Sequence, residues 1–593
     1  MSEIVLLSGN EAVARGLWEA GGRFAAAYPG TPSTEILENA ANYEGLIALW
    51  GSNEKTALEM AAGASLAGAR ALCAMKHVGL NVAADPLFSV SYAGVNGGFV
   101  VVTCDDPGMH SSQNEQDSRW YAIAAKVPIL EPSDSQEAKD FVRLGFEISE
   151  RFDTPVMLRL TTRVCHSKTR VTLEPRVEAP LRDYRKDVTR TVLVPHNARG
   201  RHRVIESERM PRLREFTETS GLNRIEWGDR GIGIISSSIA YQYAREVSPH
   251  ASFLKIGMVN PFPEHLARQF AAGVEDVLVI EELDPIIEDH CRRLGIEVRG
   301  KDVIPITGEL DQSVIRRALG LETASPAAPE LAALPRPPVF CPGCAHRPVF
   351  HTLHRLHATV MGDIGCYALG ALPPLNSMDT CICMGASITQ NIGMALMRGA
   401  EFAKKTVAVI GDSTFFHSGI TGLVDCVVSK APVTVVILDN NTTAMTGHQE
   451  HPGTGRDIHH KTSAGVDLEA LVRSLGVGFV ETVHAYDLDK VRDTLKAAMD
   501  YPGVAVVISK AACVLLPGDR PGGPLHIVAE ACNKCGACLR VGCPALIKAE
   551  NKSVSIDPTA CVGPLCAVCA QVCPQDAIVT EAGEVPAAGQ EVR

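Results

Sequence analysis

Two stretches, TVAVIGDS (406–413) and PVTVVILDNN (432–441), decide how this chain is read. Each opens on a short, continuous apolar run rich in β-branched residues and closes on Gly, Asp or Asn. Runs this short, without polar alternation, mark strands buried on both faces, the condition of a parallel sheet covered by helices on each side. Asp412 and Asn440 then stand at the carboxyl ends of two strands, 28 positions apart. That is the end at which an open parallel sheet binds its ligands. The carboxylate of Asp412, the amide oxygen of Asn440 and the carbonyl of Thr442 are hard oxygens of the kind that hold Mg²⁺, which keeps its other positions for phosphate oxygens. An ordinary βα turn with an Asp cap and an Asn-rich loop accounts for the same residues.

The strand signature recurs in GGFVVVTC (97–104), GIGIISS (231–237), DVLVIEE (276–282) and GVAVVIS (503–509), alternating with Ala-rich segments of helical spacing. The expected fold class is α/β, with several parallel-sheet units. A chain of 593 residues exceeds one core, and about four domains are expected. Residues 168–229, rich in Arg and Glu without clear periodicity, read as a solvated connection, and ETASPAAPELAALPRPP (322–338) as a Pro/Ala linker. The expected domains are 1–185, 186–325, 326–525 and a cysteine-dense module at 526–580, followed by a tail, 581–593.

Lys plus Arg number 56 against 68 Asp plus Glu, for a net charge of −12, and no basic block forms a stripe for nucleic acid. The N-terminus lacks a basic region followed by an apolar one, and no apolar run reaches the ~20 residues that span a bilayer. No membrane association and a cytoplasmic location are expected. Nineteen cysteines in a large chain without a secretion signal favour metal thiolates in a reducing, oxygen-poor cytosol over disulfides.

Eight of those cysteines fall in CNKCGACLRVGCP (532–544) and CVGPLCAVCAQVCP (561–574). The doubled motif resembles the two-cluster ferredoxins, an α+β module in which the cysteine before Pro ligates the other cluster. Four residues separate Cys538 from Cys543, and four separate Cys561 from Cys566, a slight departure that leaves all eight ligands. The resemblance implies one [4Fe–4S] cluster on Cys532, Cys535, Cys538 and Cys573, and a second on Cys561, Cys566, Cys569 and Cys543. A pair of structural zinc sites is the alternative, although zinc requires neither the Cys-Pro terminator nor the crossed pattern.

The pair GDS (411–413) and LDNN (438–441) resembles the thiamine diphosphate motif, with Ser413 in place of its usual second Gly. In the first unit, YPGTPSTE (28–35) has the composition of a strand-end ligand loop. SNEKTALEMAAGASLAGARAL (52–72) opens with a capping pattern and continues as a small-residue helix that can pack closely against other backbone. A thiamine enzyme needs a Glu against N1′ of the aminopyrimidine, and Glu54 stands where one can serve. A helix-N-terminal Glu favoured by the dipole is the other reading.

Over nearly its full length the chain resembles the α subunits of indolepyruvate:ferredoxin oxidoreductases, within the 2-oxoacid:ferredoxin oxidoreductase superfamily. The residues that carry the resemblance are GNEAVARG (9–16), YPGTPSTE, NEKTALEMAAGAS (53–65), KHVGLNVAADPLF (76–88), LKIGMVNPFPEHL (254–266), VIEELDP (279–285), FCPGCAHRP (340–348), MGASITQNIGMAL (384–396) and the GDS/LDNN pair. It implies a pyrimidine-binding first unit, a transketolase-C-terminal-like second, a diphosphate-binding third and the ferredoxin module. Gly385, Gly411, Asp412, Ser413, Asn440, Asn441 and Thr442 are then the residues at the diphosphate and Mg²⁺. The implied activity is oxidative decarboxylation of an aryl pyruvate with coenzyme A and reduction of ferredoxin. A smaller β subunit is the implied partner, in an α2β2 assembly.

Thr31, His77 and Arg119 are candidates to touch the 2-oxoacid. Arg119 follows the polar loop SSQNEQDS and can offer a two-toothed pair to a carboxylate; each of the three can equally be a satisfied structural residue. Cys341, Cys344, Cys366 and Cys513 are similar to the proximal-cluster ligands of pyruvate:ferredoxin oxidoreductases, which implies a third [4Fe–4S] cluster. A redox pair, half a zinc site or buried apolar thiols are the alternatives. Two other functions stay open at this level: a non-oxidative thiamine decarboxylase or lyase, and a non-catalytic carrier of electrons. Aromatic residues are only 5% of the chain, so the aryl preference rests on the resemblance alone.

Overall fold

The computed structural model describes residues 3–321, 337–518 and 522–586. It divides into two compact units between residues 329 and 330. The division falls within the expected Pro/Ala linker, most of which lies outside the described residues.

The first unit is built on a seven-stranded sheet in the order Met258–Asn260, Ile129–Leu130, Val156–Thr161, Phe99–Asp105, Ala71–Lys76, Phe24–Ala27, Ile47–Trp50. All neighbours pair in parallel except Met258–Asn260, which runs antiparallel to Ile129–Leu130. Every residue of Phe99–Asp105 and Ala71–Lys76 is buried, as their unbroken apolar runs require. The small-residue helix runs over Glu54–Leu66, with Asn53 as its cap, and lays Ala57, Leu58, Ala61 and Ala62 on the sheet.

A second, four-stranded sheet follows in the order Asp276–Ile280, Asp229–Ser237, Ala251–Ile256, Arg224–Glu226, of which the first three are mutually parallel. One core contains residues of both sheets, among them Val101 and Ile129 with Ile235, Leu254 and Val279. The two domains expected at 1–185 and 186–325 thus form one compact unit. The segment read as a solvated connection contains the helices Pro195–Val204 and Met210–Thr219. Its arginines hold it down: Arg201 pairs with Asp153 at 2.8 Å, and buried Arg209 donates to the carbonyls of Ser91 and Phe152 at 2.7 and 3.2 Å. Irregular charge spacing here reflects docking onto other elements, so no helical period shows in the sequence.

The second unit contains a six-stranded, all-parallel sheet in the order Thr380–Cys381, Thr359–Gly362, Thr406–Gly411, Thr434–Asp439, Ala505–Lys510, Phe479–His484. Apolar cores lie on both faces. The first strand in sequence, Thr359–Gly362, lies between the second and the third, so the chain reverses its direction of travel between Thr359–Gly362 and Thr406–Gly411. A reversal of this kind opens a crevice at the carboxyl ends of the two strands. The cysteine-dense segment forms two short antiparallel pairs, His526–Ile527 with Ile578–Val579 and Leu546–Lys548 with Val554–Ile556. Among the described residues no helix is long and apolar enough to cross a membrane.

Candidate functional site

In the first unit, three segments singled out in the sequence meet at the carboxyl end of the large sheet. Glu54 follows the strand Ile47–Trp50, His77 follows Ala71–Lys76, and the YPGTPS turn follows Phe24–Ala27. Glu54 is only 4% exposed. A Cβ added to Gly79 would stand 2.5 Å from Glu54 Oε1, so the glycine of KHVGLN leaves the space this carboxyl occupies. Gly30, beside Thr31, packs against the Lys76 stem, and Lys76 Nζ reaches the Ser111 carbonyl at 2.9 Å. Ser111 Oγ in turn donates to the Thr31 carbonyl at 3.3 Å.

His77 is fully buried, with Nε2 3.1 Å from the Asn114 carbonyl. A carbonyl only accepts, so Nε2 carries the proton and Nδ1 is left as an acceptor; Nδ1 has no hydrogen-bond partner among the described residues. Burial pushes the imidazole below its ordinary pKa, which favours this neutral form. In this tautomer His77 suits a ligand's N–H better than a carboxylate.

For Arg119 the geometry favours the structural reading. It opens the helix Arg119–Ala125 and is 0% exposed. Its two-toothed pair is with the chain's own Asp117, Nε to Oδ1 at 2.9 Å and Nη2 to Oδ2 at 2.5 Å. Nη1 reaches Glu281 Oε2 at 2.6 Å, and Nη2 also donates to the carbonyls of Glu282 and Asp284 at 3.0 and 2.9 Å. Its side chain is buried among acceptors of the chain itself, away from solvent. Arg119 ties the helix after the polar loop to the second sheet's VIEELDP segment.

The second unit's crevice is organised by two buried aspartates, one at each strand of the reversal. Asp412 Oδ1 accepts from Ser413 N at 2.7 Å; Oδ2 accepts from Asn440 N at 3.2 Å, Asn441 N at 2.9 Å and His451 Nε2 at 3.1 Å. Burial pushes its carboxyl up, but the hydrogen bond from His451 and the backbone N–H of Ser413 pull it below the ordinary carboxylate range. His451 Nδ1 accepts from Gly453 N at 3.1 Å, which fixes the proton on the nitrogen facing Asp412.

One polar atom of the Asn440 carboxamide lies 3.3 Å from Asp412 Oδ1 and 2.8 Å from the Thr442 carbonyl oxygen. Turned nitrogen-inward, the amide donates to both. Turned oxygen-inward, three oxygens face one another at the ~3 Å spacing of adjacent ligands around Mg²⁺, which holds its oxygens at ~2.0–2.1 Å in an octahedron. The donor set therefore fits a Mg²⁺ ion. Asn441 supports the turn with a left-handed φ of 58°.

Asp363, not singled out in the sequence, ends the neighbouring strand. Its carboxyl accepts from Ile364 N and Gly385 N at 2.9 Å each and from Ser387 N at 3.0 Å. Gly385 sits at a φ of 88°, and a Cβ there would stand 2.7 Å from Ser418. Gly385 is thus required where the start of the helix Ala386–Arg398 passes close to the helical segment Phe415–Gly419. The signal for Asp363 was the GD pair at 362–363, the same strand-end pair as 411–412. His451 carried no signal, because only folding brings it 39 positions back to Asp412.

Twelve of the nineteen cysteines fall into three groups. Cys532, Cys535, Cys538 and Cys573 line one small cavity with Ile527 and Ile578. Cys543, Cys561, Cys566 and Cys569 lie within electrostatic reach of one another, and burial, reinforced by the neighbouring thiols, pushes Cys566 up to about 12. Backbone N–H groups donate to Cys561 Sγ from Leu525 and Gly563 and to Cys573 Sγ from Ala577, each at 3.4 Å. Cys341, Cys344, Cys366 and Cys513 form the third group. Burial first, then the neighbouring thiols, push Cys344 up to about 12 and Cys366 up to about 11. Cys513 lies three residues beyond Ala505–Lys510, and its N–H donates to the Asn440 carbonyl at 2.9 Å. Among the described residues no three His, Cys, Asp or Glu side chains converge tightly enough to hold a single metal ion.

Residues 363–509 match the family described as "Thiamine pyrophosphate enzyme, C-terminal TPP binding domain". Residues 15–203 match "Pyruvate flavodoxin/ferredoxin oxidoreductase, thiamine diP-bdg". Fold, crevice and matches together define a thiamine-diphosphate-dependent 2-oxoacid oxidoreductase chain. The indolepyruvate oxidoreductase subunit IorA of Archaeoglobus fulgidus is 42% identical over 97% of this chain and 97% of its own, and that of Methanothermobacter thermautotrophicus is 41% identical over 97% of each. The 2-oxoglutarate synthase subunit KorA of the latter organism is 28% identical over 47% of this chain and 88% of its own. The chain belongs to the IorA family of indolepyruvate oxidoreductase subunits.

Proposed function

We propose that the protein is the catalytic subunit of an enzyme that oxidatively decarboxylates aryl pyruvates with coenzyme A and passes the electrons, one at a time, through three [4Fe–4S] clusters to ferredoxin. The observation that carries the reading is the bond from Cys513 N–H to the Asn440 carbonyl: a group of four thiols begins one hydrogen bond from the oxygens suited to Mg²⁺. Asp412, Asn440 and the Thr442 carbonyl hold Mg²⁺ against a diphosphate, with Gly411, Ser413, Asn441 and Gly385 shaping the loops. In the first unit, taken by itself, Glu54 would share a proton with N1′ of an aminopyrimidine. Thiamine diphosphate, when bound, would supply the electron sink that lets a 2-oxoacid lose CO₂. Thr31 lines the substrate end, and His77 Nδ1 accepts an N–H there.

The tail's eight cysteines hold two clusters in the crossed sets, supported by the cavity that Cys573 shares with Cys532, Cys535 and Cys538. Cys341, Cys344, Cys366 and Cys513 hold the third. The aryl substrate and a second subunit follow from the names of relatives that match nearly the whole chain. The test is anaerobic: the chain, purified with its partner subunit, is given coenzyme A and a panel of aryl, branched and short 2-oxoacids, and ferredoxin reduction is followed. Reduction fastest with indolepyruvate is expected. CO₂ release without ferredoxin reduction, or turnover only with short 2-oxoacids, overturns the reading.

A further inference from the structure

A buried arginine stands between two of the cysteine groups. Arg347 opens the helix Arg347–Arg355, six residues after Cys341, and is 2% exposed. Its Nη2 donates to the carbonyls of Phe340 and Cys341 at 2.8 and 2.9 Å. Its Nη1 donates to the carbonyl of Val541 at 3.3 Å and to that of Gly542, the residue before Cys543. The guanidinium thus grips the backbone at a cysteine of one group and next to a cysteine of another. Among the described residues no carboxylate pairs with it; its neighbours include carbonyls and the Phe340 ring, 5.5 Å away. Its Nε has no hydrogen-bond partner among the described residues.

The surroundings make this a built junction. Tyr486, 2% exposed, donates to the Gly343 carbonyl inside the CPGC turn at 2.6 Å. Its own carbonyl accepts from Gln571 Nε2 at 2.7 Å, two residues from Cys569 and Cys573. Ala345, Tyr486, Val541 and Val568 form one small core with Cys566. An unpaired cation in such a place costs several kcal/mol unless negative charge compensates it. A [4Fe–4S] cluster on four thiolates carries net negative charge that grows on reduction, and such a charge on either side of Arg347 supplies the compensation.

We propose that Arg347 is a positioning residue for electron transfer, tying the Cys341/Cys344/Cys366/Cys513 cluster to the Cys543/Cys561/Cys566/Cys569 cluster and favouring the reduced state of both with its buried positive charge. The inference rests on the three-cluster reading. Net charge near a cluster is one of the terms that set its potential, and a nearby cation raises it.

The test uses the anaerobically purified enzyme with its partner subunit, redox titration followed by electron paramagnetic resonance, and iron analysis. Wild type should hold about twelve irons per chain, four for each cluster; eight overturns the three-cluster reading itself. With twelve present, Arg347→Gln, which keeps amide donors but loses the charge, should retain its iron. It should shift the one-electron equilibrium of two clusters about tenfold toward the oxidised form, 59 mV for one electron. The cluster on Cys532, Cys535, Cys538 and Cys573 serves as the internal reference and should move less. Arg347→Lys keeps the charge without the fork, so it should restore the potentials while weakening the magnetic coupling between the two reduced clusters. Wild-type potentials in Arg347→Gln overturn the electrostatic role. Should Arg347→Gln fail to assemble, Arg347→Lys decides: weakened coupling supports the tie, and wild-type coupling overturns it.

Discussion

Replacing Asp412 by Asn separates the two duties of that side chain, because shape is kept and only charge and one acceptor are lost. In the folded protein Oδ2 accepts three N–H groups, from Asn440, Asn441 and His451, while Oδ1 accepts one, from Ser413. An asparagine therefore settles with its oxygen toward the three donors and its nitrogen toward Ser413 N. One buried backbone N–H loses its acceptor, at a cost of ~1–3 kcal/mol, partly offset if the new amide donates to Asn440 turned oxygen-inward. The unit should stay folded, with a modest fall in melting temperature. Binding should suffer far more: Asp412 is the one charged side chain among the proposed Mg²⁺ ligands, and changing even an outer partner of a metal ligand costs ~10–100-fold in affinity. A loss of thiamine diphosphate affinity of at least ~100-fold follows at fixed Mg²⁺. Anaerobic calorimetric titration with thiamine diphosphate and Mg²⁺, alongside iron analysis, measures it. Iron should be unchanged, since no cysteine is touched. A cofactor affinity within threefold of wild type refutes the clamp.

Four other outcomes follow from the geometry. Glu54→Gln should lower turnover by ~10²–10⁴ while thiamine diphosphate still binds, and Gly79→Ala should do the same because its Cβ would stand 2.5 Å from Glu54 Oε1; normal steady-state rates in either variant contradict the role. Arg119→Met should destabilise the first unit by ~3–5 kcal/mol, since it strands the Asp117 and Glu281 carboxylates, and should leave the KM for every 2-oxoacid unchanged in any enzyme that folds; a raised KM would return Arg119 to the substrate. Glu282 has a carboxyl that burial raises to about 7, so its proton favours the folded state: stability is greatest below its unfolded-state pKa and falls as pH rises through about 7. Glu282→Gln should keep the bond from Leu310 N and flatten that decline, with a higher melting temperature than wild type at pH 8 and little difference at pH 5; equal melting curves at pH 8 refute it. Cys341→Ser/Cys344→Ser should lower iron from about twelve to about eight per chain with the tail's clusters intact, and unchanged iron contradicts the third site.

The parallel strands and the strand-end aspartate were legible because both leave local marks. An unbroken apolar run such as VTVVIL has to be buried on both faces, and the Gly-Asp that follows has to turn out of the sheet. The small-residue helix was legible for the same reason, and Gly79 explains why its Glu54 finds room. Arg119 stayed open because sequence shows the charge but not its neighbours. Three of the acceptors that satisfy it lie more than 160 positions away on the VIEELDP segment, and an arginine after a polar loop looks the same whether it faces solvent or a buried carboxylate. The strand Met258–Asn260, which completes the first sheet from the second sheet's sequence, was invisible because three residues carry no period. His451 was missed because only the fold brings it to Asp412.

The crevice of the second unit sets two kinds of ligand side by side. Asp412, Asn440 and the Thr442 carbonyl are hard oxygens, and Cys513, bonded through its N–H to the carbonyl of Asn440, belongs to a group of soft thiols. Carboxylate and carbonyl oxygens suit Mg²⁺ while thiolates select iron–sulfur clusters, so ligand type keeps each inorganic group at its own position without needing distance. Closeness then serves the reaction. On the proposed reading, electrons leaving the thiazolium would find a first acceptor at the Cys513 group, and Arg347 and Tyr486 would hold the next group of thiols close to it. The same buried backbone that orients Asn440 toward the cation site orients Cys513, so a distortion of the LDNN turn should disturb cofactor binding and the first electron transfer together.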